Sequence, residues 1–304
     1  MKQANHLLNI LWNTNRTLFS LVLEYKSTVE DYSRRILADV TPLSVAYGAE
    51  DEEMCEMLIE HLEKLPNGRK KALAQLNEQF PEEIEKRKPY DFTSILIAIK
   101  DASDKDIQEA FRTPKLTLDQ NDSLLYKAFN TFRKEFTDRS CQEGIHFNHK
   151  HLLEAYAVYV KEFYNLKDLN NSRLALFCMQ VIGYVQRYLP SCYAQELCSG
   201  NDWVSKQPGW GFTSSKPLRR SFEFNHDPGL YIFPLSFDAP SKLGFEYSPC
   251  AGVALVHGAL DHELGITMLD WFKNFCEAKT KSLFKLKQWL KKPVEEEASL
   301  CTLL

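Results

Sequence analysis

The sequence predicts a mainly α-helical protein with a small antiparallel β module before a basic C-terminal helix. Over the first 199 residues, apolar side chains recur at steps of three and four, which is the spacing of one face of an α-helix. Between residues 218 and 258, short apolar or alternating runs are separated by turn residues such as Asp-Pro-Gly, which is typical of strands and hairpins. We therefore expect a helical domain (1–199), a loop with a small β module (200–265), a basic amphipathic helix (266–292) and a disordered tail (293–304).

The bulk composition excludes several classes of protein. The 304 residues carry a net charge of −4, so the chain lacks the overall basic field by which proteins bind nucleic acid. The sequence contains no run of about 18 apolar residues, so no transmembrane helix is predicted. Residues 1–19 lack the charged start, apolar centre and cleavage site of a secretory signal peptide. Eight cysteines without a C-x-x-C pair are typical of reduced thiols in a cytosolic compartment.

The helical domain is predicted to begin with one helix over residues 1–35, whose polar end is Arg34-Arg35. Pro66-Asn67-Gly68 predicts a turn. The helix over 173–188 is apolar almost all round, which predicts a central position in the core. The other predicted helices cover residues 70–88 with an interruption near Phe80-Pro81, 91–102, 105–111, 124–136 and 151–163.

Residues 41–64 resemble one ankyrin repeat. Thr41-Pro42-Leu43-Ser44-Val45-Ala46 matches the T-P-L-x-x-A start of a first short helix, and Glu53–Ile59 matches the second helix. Threonine is a good helix cap, and proline fits the first turn, where a missing N–H costs nothing. No second copy occurs at the expected spacing, and a lone repeat cannot bury both of its faces. The unit is therefore either a helix pair within a larger helical domain or one recognisable member of degenerate repeats.

The segment Ile266–Lys292 is predicted to be a basic amphipathic helix. Between Lys273 and Lys292 there are seven lysines and a single acid, Glu277. The alternative is an ordinary C-terminal helix that packs its apolar stripe and leaves its lysines in water, and it is favoured up to about Ala278. Lysines near an anionic bilayer contribute about 1 kcal/mol each. The predicted membrane-contact residues are Lys281, Lys285, Lys287, Lys291 and Lys292, with Trp271 and Trp289 at the headgroup boundary.

The last four residues match a prenylation motif. In Cys301-Thr302-Leu303-Leu304 the cysteine would carry the lipid, and the leucine in the last place favours a geranylgeranyl group. The polar stretch 293–300 predicts a disordered tail that leaves the thiol accessible. One lipid chain binds a bilayer only marginally, so a second membrane signal is expected. The alternative is a stray cysteine on a frayed end.

Several stretches, in order along the chain, resemble ankyrin-related effectors that intracellular bacteria inject through Dot/Icm type IV secretion systems. The resemblance implies delivery into a host cell and a carboxyl-terminal secretion signal at Glu295-Glu296-Glu297, but it implies no reaction. The predicted partners are a host prenyltransferase, a host membrane and an unidentified host protein, and the predicted location is the cytoplasmic surface of host membranes. The stretches are Arg16–Arg35, the Thr41-Pro-Leu unit, Phe80-Pro-Glu, Gln180–Pro190, Arg219–Phe224, Leu243–Tyr247 and Thr280–Leu283.

A metal site is not predicted. His146, His149 and His151 place three imidazoles within six residues, but no cysteine pair or carboxylate pattern accompanies them. A polar helix start is the favoured interpretation of this cluster. No phosphate-binding loop or dinucleotide turn occurs, and no cofactor is predicted.

A second hypothesis is a membrane-anchored cysteine hydrolase or transferase. It places the site between the helical body and the β module, because a reactive thiolate needs a base or a cation beside it. No family signature surrounds any of the cysteines, so the first hypothesis, a membrane-tethered interaction protein, is favoured. The candidate residues are Cys192, Cys198 and Cys250, with His226, Asp227 and His257 in the same region.

Overall fold

The computed structural model confirms the mainly α-helical class, with one two-stranded antiparallel sheet in the part it describes. The predicted β module and the tail lie outside the described residues. The chain forms two compact units, the first made of Met1–Lys86 with Asn274–Leu304 and the second of Arg87–Lys273. The described residues are 1–31, 35–80, 87–112, 123–167, 172–186, 188–190, 192–193 and 262–292.

The first unit begins with α1 (Lys2–Thr14) and α2 (Arg16–Glu24), followed by the paired strands β1 (Ser27–Glu30) and β2 (Ile36–Val40). The prediction of one helix over residues 1–35 is therefore wrong. The helix breaks because the side chain of Asn15 accepts a hydrogen bond from the backbone N–H of Leu18 at 3.0 Å and caps a new helix. After α2, the β-branched residues Thr28 and Val29 favour an extended backbone.

The unit at 41–64 forms two helices, α3 (Pro42–Gly48) and α4 (Glu52–Glu63). Thr41 and Ser44 make a reciprocal capping box at the start of α3, and Thr41 Oγ1 also donates to Gln75 Oε1 at 2.8 Å. Gln75 belongs to the next helix, α5 (Gly68–Gln79), which ends before Phe80 as the sequence predicts. The helix pair is thus packed against a third helix rather than left alone.

The second unit contains the helix pair α6 (Thr93–Asp101) and α7 (Asp104–Arg112), then the long helices α8 (Leu124–Gln142) and α9 (Lys150–Leu166). The predicted central helix is a succession of α10 (Ser172–Leu176), a π-helical segment (Phe177–Ile182) and α11 (Gly183–Gln186). This segment is buried, as predicted. The sequence did not predict the wider π-helical turns in its middle. Phe132 and Phe136 each pack edge to face against Tyr184 in the core of this unit.

The last described helix, α12 (His262–Leu290), begins among residues of the second unit and ends among those of the first. In the second unit, Phe272 is fully buried and its ring lies 5.9 Å from Tyr156 and 6.0 Å from Tyr193. In the first unit, Leu283 and Leu290 are buried. Among the described helices, none combines the length and the apolar composition needed to cross a bilayer.

Candidate functional site

The lysine-rich end of α12 has two contrasting faces. Leu283 and Leu290 are buried in the first unit and Leu286 is half-buried, so the apolar stripe is not free to enter a bilayer. The opposite side is open to solvent and is called the lysine face here. Its exposed members are Lys281, Phe284, Lys285, Gln288, Lys291 and Lys292, and Phe284 is 56% exposed.

Three contacts hold α12 in the rotation that turns the lysine face outward. The hydroxyl of Ser282 donates to the carboxylate of Glu52 on α4. Lys287 Nζ donates to the backbone carbonyl of Phe80 at 3.2 Å. On the same side, the guanidinium of Arg69 lies 3.6 Å from the centre of the Trp289 ring, a close cation–π contact. The helix therefore presents its lysines as a fixed row.

The predicted membrane-contact lysines are not equivalent. Lys281, Lys285, Lys291 and Lys292 are exposed, whereas Lys287 is half-buried. Burial, together with repulsion from Lys291, lowers the pKa of Lys287. A lysine that is partly withdrawn and donates to a backbone carbonyl contributes less to a surface field than the four exposed ones.

The two tryptophans are placed differently from the prediction. Trp271 is only 5% exposed and packs against Phe272, so the prediction that it lies at a headgroup boundary is wrong. Trp289 is half-buried and covered by Arg69. The sequence predicts both residues at a headgroup boundary, but their exposure depends on which neighbours cover them.

Lysines are concentrated toward the end of α12, with five between residues 281 and 292. An acidic row on α4 includes Glu52, Glu56 and Glu60, and burial together with repulsion within this row raises the pKa of Glu56. Lys279 interacts with Glu56, so the acidic row offsets its charge. The residues from Lys285 onward lie further along the helix, next to the tail. Cys301, Thr302, Leu303, Leu304 and Glu295–Glu297 themselves lie outside the described residues.

Within the histidine cluster, both ring nitrogens of His151 contact protein groups. His151 is buried, its Nδ1 accepts the backbone N–H of Tyr90 at 2.8 Å, and its Nε2 lies 2.9 Å from the Glu143 carboxylate. Both ring nitrogens are thus engaged, which leaves no lone pair for a metal or for general-base catalysis. His149 is the N-cap residue of α9, as the polar-helix-start interpretation predicts. Within the described ranges, no three potential ligands are grouped for a metal ion.

Glu143 is the partner that sequence reasoning missed. Its carboxylate accepts from His151 and, at 3.1 Å, from the Asn148 side-chain amide, while Arg87 donates to its backbone carbonyl at 2.6 Å. Burial acts to raise the pKa of Glu143, but the hydrogen bonds from His151 and Asn148 and the charge of Arg87 outweigh burial and lower it. The cluster ties the loop between α8 and α9 to the segment that precedes α6.

This cluster predicts an acid-sensitive second unit. A carboxylate with a lowered pKa stabilises the fold above its ordinary value of 4.5, and the stabilisation is lost as the pH falls through the folded-state pKa. We expect Glu143→Gln to be less stable than the wild type near neutral pH, with the difference shrinking below pH 4.5. Urea denaturation across that range measures it, and a difference independent of pH would contradict the assignment.

The cysteine–histidine hypothesis gains no support from the described residues. Cys192 is buried, and Cys198, Cys250, His226, Asp227 and His257 lie outside the described part. Cys276 is also buried, and its burial raises the pKa of the thiol, so the reactive thiolate is disfavoured.

A buried polar network around the π-helical segment was also missed. Arg133 on α8 donates to Gln180 Oε1 at 2.5 Å, and its guanidinium lies 5.3 Å from the centre of the Tyr184 ring. Thr137 Oγ1 lies 2.8 Å from the Tyr184 hydroxyl. These side chains are largely buried, so they hold α8 against the π-helical segment rather than face a ligand. The only signal in the sequence was a glutamine inside an otherwise apolar helix.

Comparison of the chain with protein-family models, with curated proteins and with solved structures finds no match. The resemblance to injected effectors therefore stays a prediction, and so does the secretion signal at Glu295–Glu297. Of the residues predicted to act at a membrane, those that are described are the five lysines of α12 and the two tryptophans Trp271 and Trp289.

Proposed function

We propose that this protein is a bacterial effector, delivered into host cells by a type IV secretion system and tethered to host membranes by a prenyl group on Cys301. Its helical body then acts as an interaction module for a host protein at the membrane. The observation that carries the proposal is the outward lysine face of α12, which directly precedes the tail with the prenylation motif.

The lysine face supports the proposal because a single lipid chain anchors a protein only marginally. Four exposed lysines near an anionic bilayer contribute about 1 kcal/mol each, or roughly a thousandfold in affinity together. Glu295, Glu296 and Glu297 oppose this attraction when the tail lies on the bilayer surface, so the lipid has to supply the remaining membrane affinity.

The length of the tail also supports it. Residues 293–300 separate the described end of α12 from Cys301, and such a segment spans at most about 30 Å when extended. The lipid and the lysine face therefore reach the same bilayer. The tether also raises the effective concentration of the helical body for a host protein on that membrane, and a weak interface is then sufficient.

The decisive test is Cys301→Ser, expressed in host cells and fractionated into membrane and cytosol. We expect the wild type in the membrane fraction and the variant in the cytosol, because the serine hydroxyl is not prenylated. Mass spectrometry of the C-terminal peptide should find the lipid on the wild type.

Cys141→Ser is the matched control, because Cys141 is an exposed thiol on α8. This variant should keep the membrane distribution of the wild type. An undiminished membrane fraction for Cys301→Ser, or an unmodified Cys301 in the recovered peptide, would disprove the lipid tether.

A further inference from the structure

The outer sides of α1 and α2 expose a set of apolar residues. On each helix they are neighbours at steps of three or four. We call them the α1–α2 apolar face. Its members are Leu7 and Ile10 on α1, Leu18, Leu21 and Val22 on α2, and Tyr25 at the end of α2, and they are between 36% and 62% exposed.

The two helices also have an apolar inner side, and that side is already buried. Leu8, Phe19 and Leu23 are buried in the first unit, and the Phe19 ring packs 5.2 Å from Trp12 and 5.8 Å from His61. The exposed residues therefore do not belong to the core, because the inner side of the two helices already packs into it.

Polar contacts hold the helices in this orientation. On α1, Asn5 Oδ1 lies 2.7 Å from His61 Nε2, and Asn9 Oδ1 accepts from Lys64 at 3.3 Å. On α2, the backbone carbonyl of Leu23 accepts from the Gln75 amide at 3.3 Å. Large exposed apolar patches usually mark a binding site, so we expect this face to bind a partner.

The charges around the face indicate which partner. Residues 1–23 contain no aspartate or glutamate, whereas Lys2 and Arg16 are exposed. The first acid, Glu24, pairs with Lys71 at 2.9 Å, and the hydrogen bonds from Ser20 and Lys71 outweigh burial and lower its pKa. The charge of Glu24 is thus compensated by Lys71, whereas Arg16 lies over the Trp12 ring at 4.5 Å and keeps its positive charge.

We propose that the α1–α2 apolar face binds the surface of an anionic lipid bilayer. Apolar side chains bordered by Lys and Arg are typical of helices that lie in the membrane interface, and an aromatic residue such as Tyr25 is favoured there. The inference extends the proposed function, because it supplies a second membrane signal, but it needs no lipid on Cys301.

The test uses the full chain purified without a prenyltransferase and its co-sedimentation with vesicles. We expect binding to vesicles of phosphatidylcholine with phosphatidylserine and weaker binding to phosphatidylcholine alone. The double variant Leu18→Glu/Leu21→Glu should bind at least about tenfold more weakly, because two side chains that enter the interface become charged. Both positions are exposed, so the variant should unfold at the same urea concentration as the wild type.

Ile97→Glu on α6 is the matched control, since Ile97 and Leu21 are both 51% exposed and Ile97 belongs to the second unit. It should bind vesicles like the wild type. Absence of wild-type binding, or an equal loss with Ile97→Glu, would overturn the inference. So would light scattering that finds a wild-type dimer split by the double variant, because the face would then bind a second copy.

The lipid tether and the lipid-binding face are tested by different experiments, so one proposal can be disproved without the other. Membrane release of Cys301→Ser in cells tests the lipid tether, whereas the vesicle assay contains no prenylated protein. Absence of vesicle binding by the wild type, together with release of Cys301→Ser from membranes in cells, would overturn the lipid-binding face and leave the proposed function in place.

Discussion

Replacing Gly68 with alanine is expected to destabilise the first unit by about 3 kcal/mol or more, the upper end of the range for overpacking. A Cβ on Gly68 would lie 1.8 Å from the carbonyl oxygen of Leu62 and 2.8 Å from the Cα of Glu63. The obstacles are backbone atoms of α4, so no side chain can rotate away. The turn between α4 and α5 would have to open, which also disturbs the Thr41–Gln75 contact.

Urea denaturation followed by circular dichroism measures this loss. Asn77→Ala is the matched control, because Asn77 is exposed on the same helix and alanine has the higher helix propensity. That variant should be as stable as the wild type or slightly more so. Wild-type stability for Gly68→Ala would contradict the close approach of α4 and α5.

Phe136→Ala is expected to reduce the stability of the second unit by about 3–5 kcal/mol, the usual cost of emptying a fully buried phenylalanine site. Phe136 is completely buried on α8, and its partners come from different parts of the unit, so they cannot close around the cavity together. Its ring lies 5.2 to 6.2 Å from those of Tyr90, Phe132, His151, Tyr184 and Tyr188.

Thermal unfolding of the purified protein provides the measurement. Leu124→Ala is the control on the same helix, since Leu124 is 82% exposed and loses little burial when shortened. If both variants unfolded at the same temperature, Phe136 would not be the centre of the aromatic core. The same pair of variants should leave vesicle binding by the first unit unchanged.

The surfaces that we propose to face a membrane are not the ones that the periodicity of the sequence predicts. A stripe such as Leu283, Leu286 and Leu290 has the same periodicity whether it faces a bilayer or a protein core. In the structure, the first unit covers this stripe, and the lysine face is what remains exposed. On α1 and α2 the outcome is reversed, because Leu18 and Leu21 are exposed although their pattern predicts burial.

Local signals explain which elements were predictable. The Thr41-Pro42 start of α3 and the end of α5 before Phe80 depend on caps and backbone sterics within a few residues, so the sequence alone indicates them. Asn15 was missed because one asparagine in an apolar periodic stretch is neutral until its side chain caps α2. The π-helical segment was missed because an extra residue per turn depends on packing and not on periodicity.

The sequence by itself determined the helical class, the order of most helices and the concentration of lysines at the end of α12, because these depend on composition and on spacing along the chain. Only the tertiary structure decided that the ring nitrogens of His151 contact Glu143 and Tyr90. It also decided which side of α12, and which side of α1 and α2, is exposed to solvent. Whether a residue is buried depends on neighbours that are distant in sequence. The same amphipathic pattern therefore leads to a packed helix in one place and to an exposed apolar surface in another.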